Sequence, residues 1–204
     1  MREVSESEVR RLVQEAVERA LGPPSDAPPP AARPVAPAPG PAPAPAARPA
    51  TAAAPRRVAI GSDHGGFALK EVLKRAIGEE MGWEVQDCGT HSDEAVDYPD
   101  FAAAVAREVV SGRCALGIVV DAAGIGSAIA ANKVPGARCG VCHDDATVLN
   151  SREHNDANIL SLGARTVHRG AATRMVKLFL TTPFAGGRHA RRVQKIMALE
   201  QRDG

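Results

Sequence analysis

One stretch of the sequence limits the possible folds more than any other. It covers residues 117–133 and has the sequence GIVVDAAGIGSAIAANK. The apolar run at residues 116–120 stops at Asp121, small residues follow, and apolar residues at helical spacing begin at Ile125. Such a run ended by a glycine turn is typical of a buried strand in a parallel sheet. We therefore predict a strand, a tight turn and a helix in direct succession.

The two glycines of this turn, Gly124 and Gly126, let the backbone bend sharply and bring its N–H groups close to a ligand. The helix that follows would point its positive N-terminal end at the same place. This combination predicts an anion site at the carboxyl end of a sheet, where open α/β folds bind their ligands. A tight turn that serves only packing is the alternative.

From Arg57 onward, predicted strands and helices alternate. The strands fall at residues 58–61, 83–88, 116–120, 138–143 and 158–162, and the helices at 67–78, 97–110, from 125, 144–152, 170–180 and 188–201. Five strands, each followed by a helix, predict a three-layer α/β/α sandwich around a Rossmann-like, five-stranded parallel sheet. The dinucleotide fingerprint is incomplete because Gly124-x-Gly126 lacks the third glycine.

The chain before this domain has a different composition. Thirteen of the 16 prolines precede Arg56, mixed with alanine in a tract from Gly22 to Pro55. Such a tract cannot bury enough apolar surface to offset the entropy of ordering it, so we predict a disordered linker. The predicted organisation is therefore a helix at 1–21, a linker at 22–56 and a domain at 57–204.

Residues 1–21 predict a short amphipathic helix. Ser5 and Glu8 have the spacing of a capping box, and Gly22 followed by Pro23 is a strong stop. Its apolar stripe consists of Val9, Leu12, Val13, Ala16, Val17, Ala20 and Leu21. A helix this short is marginal alone, so its apolar face needs a partner. The long linker favours a separate molecule, and a coiled-coil oligomerisation helix is the alternative.

Composition excludes several classes of function. The net charge is +1 at pH 7 and only 3% of residues are aromatic, which argues against nucleic-acid binding. The longest apolar run is too short to span a bilayer, and the N-terminus lacks the uncharged core of a secretory signal. We therefore expect a cytoplasmic protein without a membrane partner.

Cys139 and Cys142 form a C-x-x-C pair, which could indicate metal or redox chemistry. They lie in a predicted strand, however, where residues three apart point to opposite faces. No second Cys/His pair supplies the remaining ligands. We therefore predict reduced thiols and no metal site.

Polar residues accumulate where the predicted strands end. Asp63 and His64 follow the first strand, Asp121 the third, and His143 and Asp144 the fourth. Loops at this edge of a parallel sheet are the usual place for catalysis.

Two further polar segments are candidates for the site. Residues 151–158 are unusually polar just before an apolar strand, and a solvated loop is the alternative there. Arg188 and Arg192 stand four apart at the start of the last helix, so they share a face and can grip one phosphate. A solvated basic face is the alternative for this pair.

Six segments along residues 57–204 together carry a resemblance to a known family. They are SDHGGFALK at 62–70, DYP at 97–99, GIGSAIAANKVPGAR at 124–138, CHD at 142–144, SREHNDANILSLGAR at 151–165 and GGRHARRV at 186–193. The domain resembles the ribose-5-phosphate isomerase type B family, which also holds the galactose-6-phosphate isomerase subunits.

The resemblance implies a homodimer with active sites at the subunit interface, or a tetramer built from such dimers. It implies interconversion of aldose and ketose phosphates, first of all ribose 5-phosphate and ribulose 5-phosphate, through a cis-enediolate without metal or cofactor. Carried over by residue, it places Asp63 and His64 at the sugar and Tyr98 in the pocket wall. His154 would assist ring opening, with Asn155 beside it.

The resemblance also assigns the groups that bind the charged parts of the substrate. Arg188, Arg192 and Arg165 would hold the phosphate. Backbone N–H groups would stabilise the enediolate oxygen where its charge develops; they belong to Ala122, Ala123, Gly124, Ile125 and Gly126.

The chain departs from the family pattern in the glycine turn. Many members have a Cys that removes the C2 proton, and others use a Glu just after the second glycine. Here Asp121 stands at the Cys position, Ala123 replaces a Thr, and Ser127 stands where the Glu would be. Asp121 is therefore the predicted base, although its ordinary pKa of about 3.9 makes it weak unless burial raises that value. A family member with altered substrate, or a non-catalytic sugar-phosphate binder, is the alternative.

The N-terminal extension resembles the encapsulation peptides of bacterial microcompartment cargo, which are short amphipathic helices joined to an enzyme by a linker. This resemblance implies a shell protein as the partner of residues 1–21 and a microcompartment as the enzyme's location in the cytoplasm.

Overall fold

Five parallel strands form the centre of the fold in a computed structural model, which describes residues 56–201 together with Glu8, Arg11 and Glu15. The strands are β1 (Arg57–Ser62), β2 (Glu84–Asp87), β3 (Leu116–Asp121), β4 (Cys139–Val141) and β5 (Ile159–Gly163). They lie in the order β2-β1-β3-β5-β4, and every neighbouring pair is parallel. The predicted five-stranded parallel sheet is confirmed.

Six α-helices follow the strands within residues 56–201. They are α1 (Phe67–Arg75), α2 (Tyr98–Val110), α3 (Ile125–Ala131), α4 (Asp145–Glu153), α5 (Arg169–Thr181) and α6 (Arg188–Met197). Two predicted helices change character near their ends: α1 continues as a π-helical segment, Ala76–Glu80, and α6 as a 3₁₀ segment, Ala198–Gln201.

Two separate hydrophobic cores fill the two faces of the sheet. On one face α1, α4 and α5 pack against side chains such as Ile60, Ile118 and Leu160, and on the other α2 and α3 pack against Ala59 and Val119. The side chains of neighbouring residues on one strand therefore point into different cores, because successive side chains of a strand alternate between the two faces of the sheet. This arrangement is the predicted three-layer α/β/α sandwich.

The same alternation separates the two thiols of the C-x-x-C pair. Cys142 is buried in the core with α1 and α5, whereas Cys139 packs against the core on the other face. All four cysteines are free thiols. The prediction that these two side chains point to opposite faces is confirmed.

The strand order explains why two loops meet. From β1 the chain passes to β2 on one side, whereas the strands that follow β3 lie on its other side. The segments that leave β1 and β3 therefore flank a crevice at the carboxyl edge, which is where α/β folds bind their ligands.

The three described N-terminal residues belong to a unit separate from the domain. Glu8, Arg11 and Glu15 are helical and exposed, and an Arg11 Nη1 lies 3.9 Å from a Glu15 carboxylate oxygen. The rest of the predicted N-terminal helix and the Pro/Ala linker lie outside the described residues.

Among the helices that the structure describes, none combines the length and apolar character that a membrane span needs.

Candidate active site

Asp121, the last residue of β3, organises the glycine turn. Its side chain is buried, and its Oδ1 accepts hydrogen bonds from the backbone N–H groups of Ala123, at 2.8 Å, and Gly124. Its Oδ2 accepts the backbone N–H of Ser127 at 2.9 Å. Gly124 has a φ of 82°, a conformation that glycine adopts at little cost. The predicted strand, turn and helix are present, and the anion that this turn holds is the carboxylate of Asp121.

These contacts decide how Asp121 ionises. Burial acts to raise the pKa of Asp121, but hydrogen bonds from Ser127, Gly124 and Ala123 outweigh it and hold the pKa below its ordinary value. Burial therefore does not make this carboxylate a stronger base. The role of Asp121 as the C2 base stays a prediction. Stabilisation of the enediolate by the turn also stays a prediction, and the N–H groups of Ala123 and Gly124 already donate to Asp121.

Asp63 lies beside the same turn. Its backbone N–H donates to the carbonyl of Val120 at 3.3 Å, and its Oδ1 accepts the N–H of Gly66 at 2.9 Å. A Cβ added at Gly65 would lie 3.4 Å from Asp63 Oδ1 and 3.6 Å from Ala122 Cβ, which places the carboxylate next to the turn. The Oδ2 of Asp63 makes no hydrogen bond within the part of the chain that the structure describes. It is therefore available to a substrate.

The ring of Tyr98 lies against the glycine turn at Gly126. A Cβ at Gly126 would lie 2.6 Å from Tyr98 Cζ, so only glycine lets the phenol ring lie against the turn. The N–H of Arg165 donates to the carbonyl of Ala122 at 3.0 Å, and the Arg165 side chain is exposed. The Nδ1 of His64 lies 3.3 Å from the backbone N and O of Val96, just before α2. We call these residues the turn cluster: Asp63, His64, Tyr98, residues 121–126 and Arg165.

A second group gathers where α4 ends and α6 begins. The Nδ2 of Asn150 lies 2.9 Å from His154 Nδ1, and the Nδ2 of Asn155 donates to Asn150 Oδ1 at 3.0 Å. The rings of His154 and His189 stack with centroids 4.2 Å apart and planes 3° from parallel. Arg188 Nε donates to His189 Nε2 at 3.4 Å. We call this group, with Arg192 one helical turn further along α6, the histidine cluster.

The surroundings of His189 favour its neutral form. Partial burial lowers the pKa of His189, and the neighbouring His154, Arg188 and Arg192 lower it further. The loop before α6 is also tied to the end of α4, because the N–H of Ala185 donates to the carbonyl of Glu153 at 3.1 Å.

A cavity of about 820 Å³ opens beside the edge strand β4. Asn150 and Asn155 form part of its wall, so it borders the histidine cluster. The remaining wall comes from β4, its flanking residues, α4, and the chain around Ile196 and Glu200. Its mixed polar and apolar wall suits a small polar ligand or a protein side chain.

The two clusters are not connected to each other. Within residues 56–201, no hydrogen bond, ion pair or ring contact joins a side chain of the turn cluster to one of the histidine cluster. The helix α3 presents Ile125 and Ile129 to solvent, with exposed fractions of 56% and 58%. The structure therefore brings together Asp63, Tyr98 and the turn, and separately His154, Asn155 and Arg188.

Two members of the histidine cluster were missed in the sequence, Asn150 and His189. Asn150 stands four residues before His154, the spacing at which helical side chains meet, so its contact was detectable. His189 directly follows a candidate phosphate ligand, but only the structure shows it stacked on His154.

Comparisons with known proteins show the family and the fold of the chain. Residues 58–196 match the Ribose/Galactose Isomerase family model. The ribose-5-phosphate isomerase B of Escherichia coli is 43% identical over 148 residues, which cover 72% of this chain and 98% of that protein. The solved structure of ribose-5-phosphate isomerase B from Clostridium thermocellum superposes with a TM-score of 0.71 at 49% identity, covering 72% of this chain and 99% of that one. The type B enzyme of Trypanosoma brucei gives 0.69 at 46% identity, with coverage of 71% and 99%.

Proposed function

The chain belongs to the Ribose/Galactose Isomerase family of sugar-phosphate isomerases, and on that premise we propose that it converts ribose 5-phosphate to ribulose 5-phosphate. The observation that carries this proposal is the meeting of Asp63 with the glycine turn in the crevice between β1 and β3. An unengaged carboxylate oxygen at the ligand-binding edge is what proton abstraction next to a carbonyl requires.

The reaction moves one proton between neighbouring carbons. His154 donates a proton to the ring oxygen as the bond between C1 and that oxygen breaks, and the C1 hydroxyl loses its proton to solvent, which opens the sugar to its aldehyde. A carboxylate then removes the proton on C2 while the aldehyde oxygen is protonated, which gives the cis-enediol form. Return of a proton to C1 and loss of the proton on the C2 oxygen produce the ketose. The reaction needs no oxidant and no cofactor.

Two carboxylates compete for the role of C2 base. Asp121, the predicted base, has both oxygens engaged by backbone N–H groups and a lowered pKa. Asp63 retains one oxygen without a partner in the described residues. The geometry therefore favours Asp63 as the proton acceptor, with Asp121 keeping the turn in shape. Substitution of each residue separates the two roles.

The phosphate is assigned to Arg188 and Arg192. Both side chains are exposed and stand four residues apart at the start of α6, so two guanidinium groups can approach one phosphate. Arg165, a member of the turn cluster with an exposed side chain, is the third candidate for contact with the phosphate.

A homodimer with shared sites would bring the two clusters together. The clusters share no contact within one described chain, and Ile125 and Ile129 leave an apolar strip on α3 that a second copy would cover. Tetramers would follow from further pairing of such dimers.

Mixing two inactive variants tests the shared site. In a heterodimer of Asp63→Asn and His154→Gln subunits, one site combines both defects and the other has none. We expect the mixture to regain up to about a quarter of the parental activity, because half of randomly formed dimers carry one intact site. Recovery of no activity would place both clusters in the site of a single subunit.

The substrate is tested by comparing sugar phosphates directly. We expect kcat/KM for ribose 5-phosphate to exceed that for galactose 6-phosphate, with activity retained in the presence of a metal chelator. A preference for the hexose phosphate would keep the reaction class and overturn the proposed substrate.

A non-catalytic sugar-phosphate binder is the second candidate, and one observation favours it. The carboxylate of Asp121 fills the turn where the family places its Cys base, and Ser127 replaces the alternative Glu. A binder would take up ribose 5-phosphate without converting it.

We further propose that the N-terminal segment delivers the enzyme to a bacterial microcompartment shell. Glu8, Arg11 and Glu15 are helical, exposed and spaced to lie on one polar face, opposite the apolar stripe of the sequence. Fusing residues 1–21 to a fluorescent protein should target it to shells, and charged residues at Leu12 and Val13 should abolish targeting. Diffuse fluorescence of the unaltered fusion would favour the coiled-coil alternative.

A further inference from the structure

The histidine cluster contains one ring that the proposed reaction does not use, His189. It stands between two groups that the reaction does use, His154 and Arg188, and it contacts both. His189 is half-buried, whereas Arg191, two residues further along α6, is exposed, and its side chain makes no hydrogen bond or ion pair in the described part of the chain. The question is what His189 adds to the residues on either side of it.

The hydrogen bonds fix the proton on His154. The Nδ2 of Asn155 donates to the backbone carbonyl of Asn150, which can only accept, so the Asn155 amide has one orientation. The same Nδ2 donates to Asn150 Oδ1, and Asn150 Nδ2 therefore faces His154 Nδ1 as a donor. The Nδ1 of His154 accepts that bond, so the ring of a neutral His154 carries its proton on Nε2.

The same reasoning applies to His189. An arginine Nε can only donate, so the Nε2 of His189 accepts the bond from Arg188 and the His189 ring is neutral with its proton on Nδ1. Two neutral imidazoles can stack face to face at 4.2 Å, whereas two imidazolium cations at that distance would repel. The stacked pair and its tautomers are therefore mutually consistent.

We propose that His189 is a positioning residue of this isomerase: one face of its ring fixes the plane of His154, and its Nε2 holds the guanidinium of Arg188. The stack and the Asn150 bond together leave His154 one ring orientation, with its Nε2 proton directed away from Asn150. His189 also holds Arg188 at a fixed distance from that proton. A fixed distance suits a sugar phosphate, because His154 would reach its ring oxygen while Arg188 binds its phosphate. This inference rests on the proposed ring-opening role of His154.

The lowered pKa of His189 supports the assignment, because it keeps the ring neutral at neutral pH. The charges that act on His189 come from His154 at the end of α4 and from Arg188 and Arg192 on its own helix. All three are cations or become cations on protonation, so each disfavours a proton on His189. Protonation of His189, which its lowered pKa moves to a pH below the ordinary histidine value of about 6.5, would remove the acceptor of Arg188 and add a repelling charge beside His154.

Two reactions of the same enzyme separate positioning from folding. Ribose 5-phosphate must be ring-opened before its C2 proton is removed. Ribulose 5-phosphate is acyclic, because its phosphate occupies the oxygen that would close the ring, so exchange of its C1 hydrogen with solvent deuterium needs no ring opening. A residue that acts through His154 should affect the first reaction much more than the second.

We expect His189→Ala to lower kcat for ribose 5-phosphate at least about tenfold, because a misplaced catalytic group loses rate steeply. The kcat for C1 exchange of ribulose 5-phosphate should change by less than about threefold, since the chemistry at C1 and C2 is retained. KM should rise in both reactions, because Arg188 loses its acceptor. His189→Phe keeps a flat ring for stacking and should recover most of the lost kcat while keeping the raised KM. Arg191→Ala is the matched control on the same helix and should behave like the parent.

Three results would overturn the proposal: an unchanged kcat for ribose 5-phosphate in His189→Ala, an equal loss in both reactions, or a Phe variant no better than Ala. The imidazole ¹⁵N chemical shifts of the parent protein give a test that needs no substrate. We expect them to show His154 protonated on Nε2 and His189 on Nδ1, and the opposite tautomers would also overturn the proposal. A parent protein that neither converts nor exchanges either sugar phosphate contradicts the proposed function instead, while the ¹⁵N result still decides the geometry.

Discussion

The Oδ2 of Asp121 accepts the backbone N–H of Ser127 at 2.9 Å across the glycine turn. Together with the bonds from Ala123 and Gly124 to Oδ1, this contact makes the carboxylate an internal anion of the turn. The backbone donors that would otherwise bind an external anion are thereby partly occupied. A side chain at the position of the family base thus holds the start of α3 in place.

This relationship predicts a loss of stability for Asp121→Asn. The amide keeps the shape and one acceptor, but its NH₂ group would face either Ser127 N–H or the N–H groups of Ala123 and Gly124. A buried donor left without a partner costs about 1–3 kcal/mol, so we expect the free energy of unfolding to fall by about that amount. Chemical denaturation measures it, with Asp93→Asn, an exposed carboxylate, as the control. Equal stability of the two variants would show that the turn does not depend on this carboxylate.

The two carboxylates of the turn cluster should differ in how they affect turnover. Asp63→Asn should lower kcat by about a hundredfold, the usual scale of a general base, and it should leave the free energy of unfolding nearly unchanged. The sequence prediction for Asp121→Asn is a similar loss of kcat per folded molecule. Full turnover in folded Asp121→Asn would remove Asp121 as the base, and full turnover in Asp63→Asn would remove Asp63.

Arg188 should contribute to binding through the phosphate. Arg188→Ala should weaken binding of ribose 5-phosphate by about 1.5–3 kcal/mol, the range of a charge-assisted hydrogen bond. Calorimetric titration measures this change, and binding of ribose without its phosphate should be unaffected. Arg191→Ala is again the control on the same helix. If Arg188→Ala binds the phosphorylated sugar as well as the parent does, the phosphate lies elsewhere.

A buried ion network between α1 and β2 predicts how stability depends on pH. The Nζ of Lys70, which is fully buried, lies 2.9 and 3.0 Å from the oxygens of Asp87, and Lys74 Nζ lies 2.5 Å from Asp87 Oδ2. Burial acts to raise the pKa of Asp87, but bonds from Lys74 and Lys70 and from Gly89 N–H lower it below 3.8. Because this pKa is lower in the folded state, the stabilisation is complete above pH 3.8 and is lost as pH falls through the folded value.

We therefore expect Asp87→Asn to lower the free energy of unfolding by about 1.5–3 kcal/mol at neutral pH, since Glu71 still partners Lys70. The difference between the variant and the parent should shrink once the pH falls below 3.8. Denaturation curves between pH 2 and pH 7 give the comparison. A difference that stays constant over this range would contradict the pKa direction.

Much of the fold could be predicted from the sequence because the strands are short apolar runs that end in polar or glycine residues. Residues 116–120, 158–162 and 58–61 all lie within strands of the structure, or within one residue of them. The order of strands could not be predicted, because pairing depends on packing between distant segments. That order is what brings Asp63 to the turn.

The candidate site was only partly accessible to sequence reasoning. The glycine turn and the residues around His154 were identified, but the polar run at 151–158 contains structural residues as well as site residues. Arg138 Nη2 pairs with Asp156 Oδ2 at 3.0 Å and Arg152 Nε donates to the carbonyl of Thr182 at 3.1 Å, so these charges hold the loop. The type of a residue does not show whether its charge holds a loop in place or contacts the substrate.

The ionisation of Asp121 shows the same limit. Burial and hydrogen bonding shift the pKa of a carboxylate in opposite directions, and the sequence shows neither the depth of the side chain nor its donors. The side chain of Ser127 and three backbone N–H groups, all within six residues of Asp121, decide the outcome here. Their positions follow from the left-handed conformation of Gly124, which only the folded turn displays.

Hydrogen exchange at C2 tests the central claim most directly. Ribose 5-phosphate labelled with deuterium at C2 is incubated with the full chain in ordinary water, and proton and deuterium NMR follow the label. The account predicts that deuterium leaves C2 as ribulose 5-phosphate forms and appears in solvent or on C1 of the product, and that Asp63→Asn suppresses both the loss of label and the formation of product. Retention of deuterium at C2 while calorimetry shows that the sugar phosphate is bound would contradict it, and would identify the chain as a binder that keeps the family fold without the reaction.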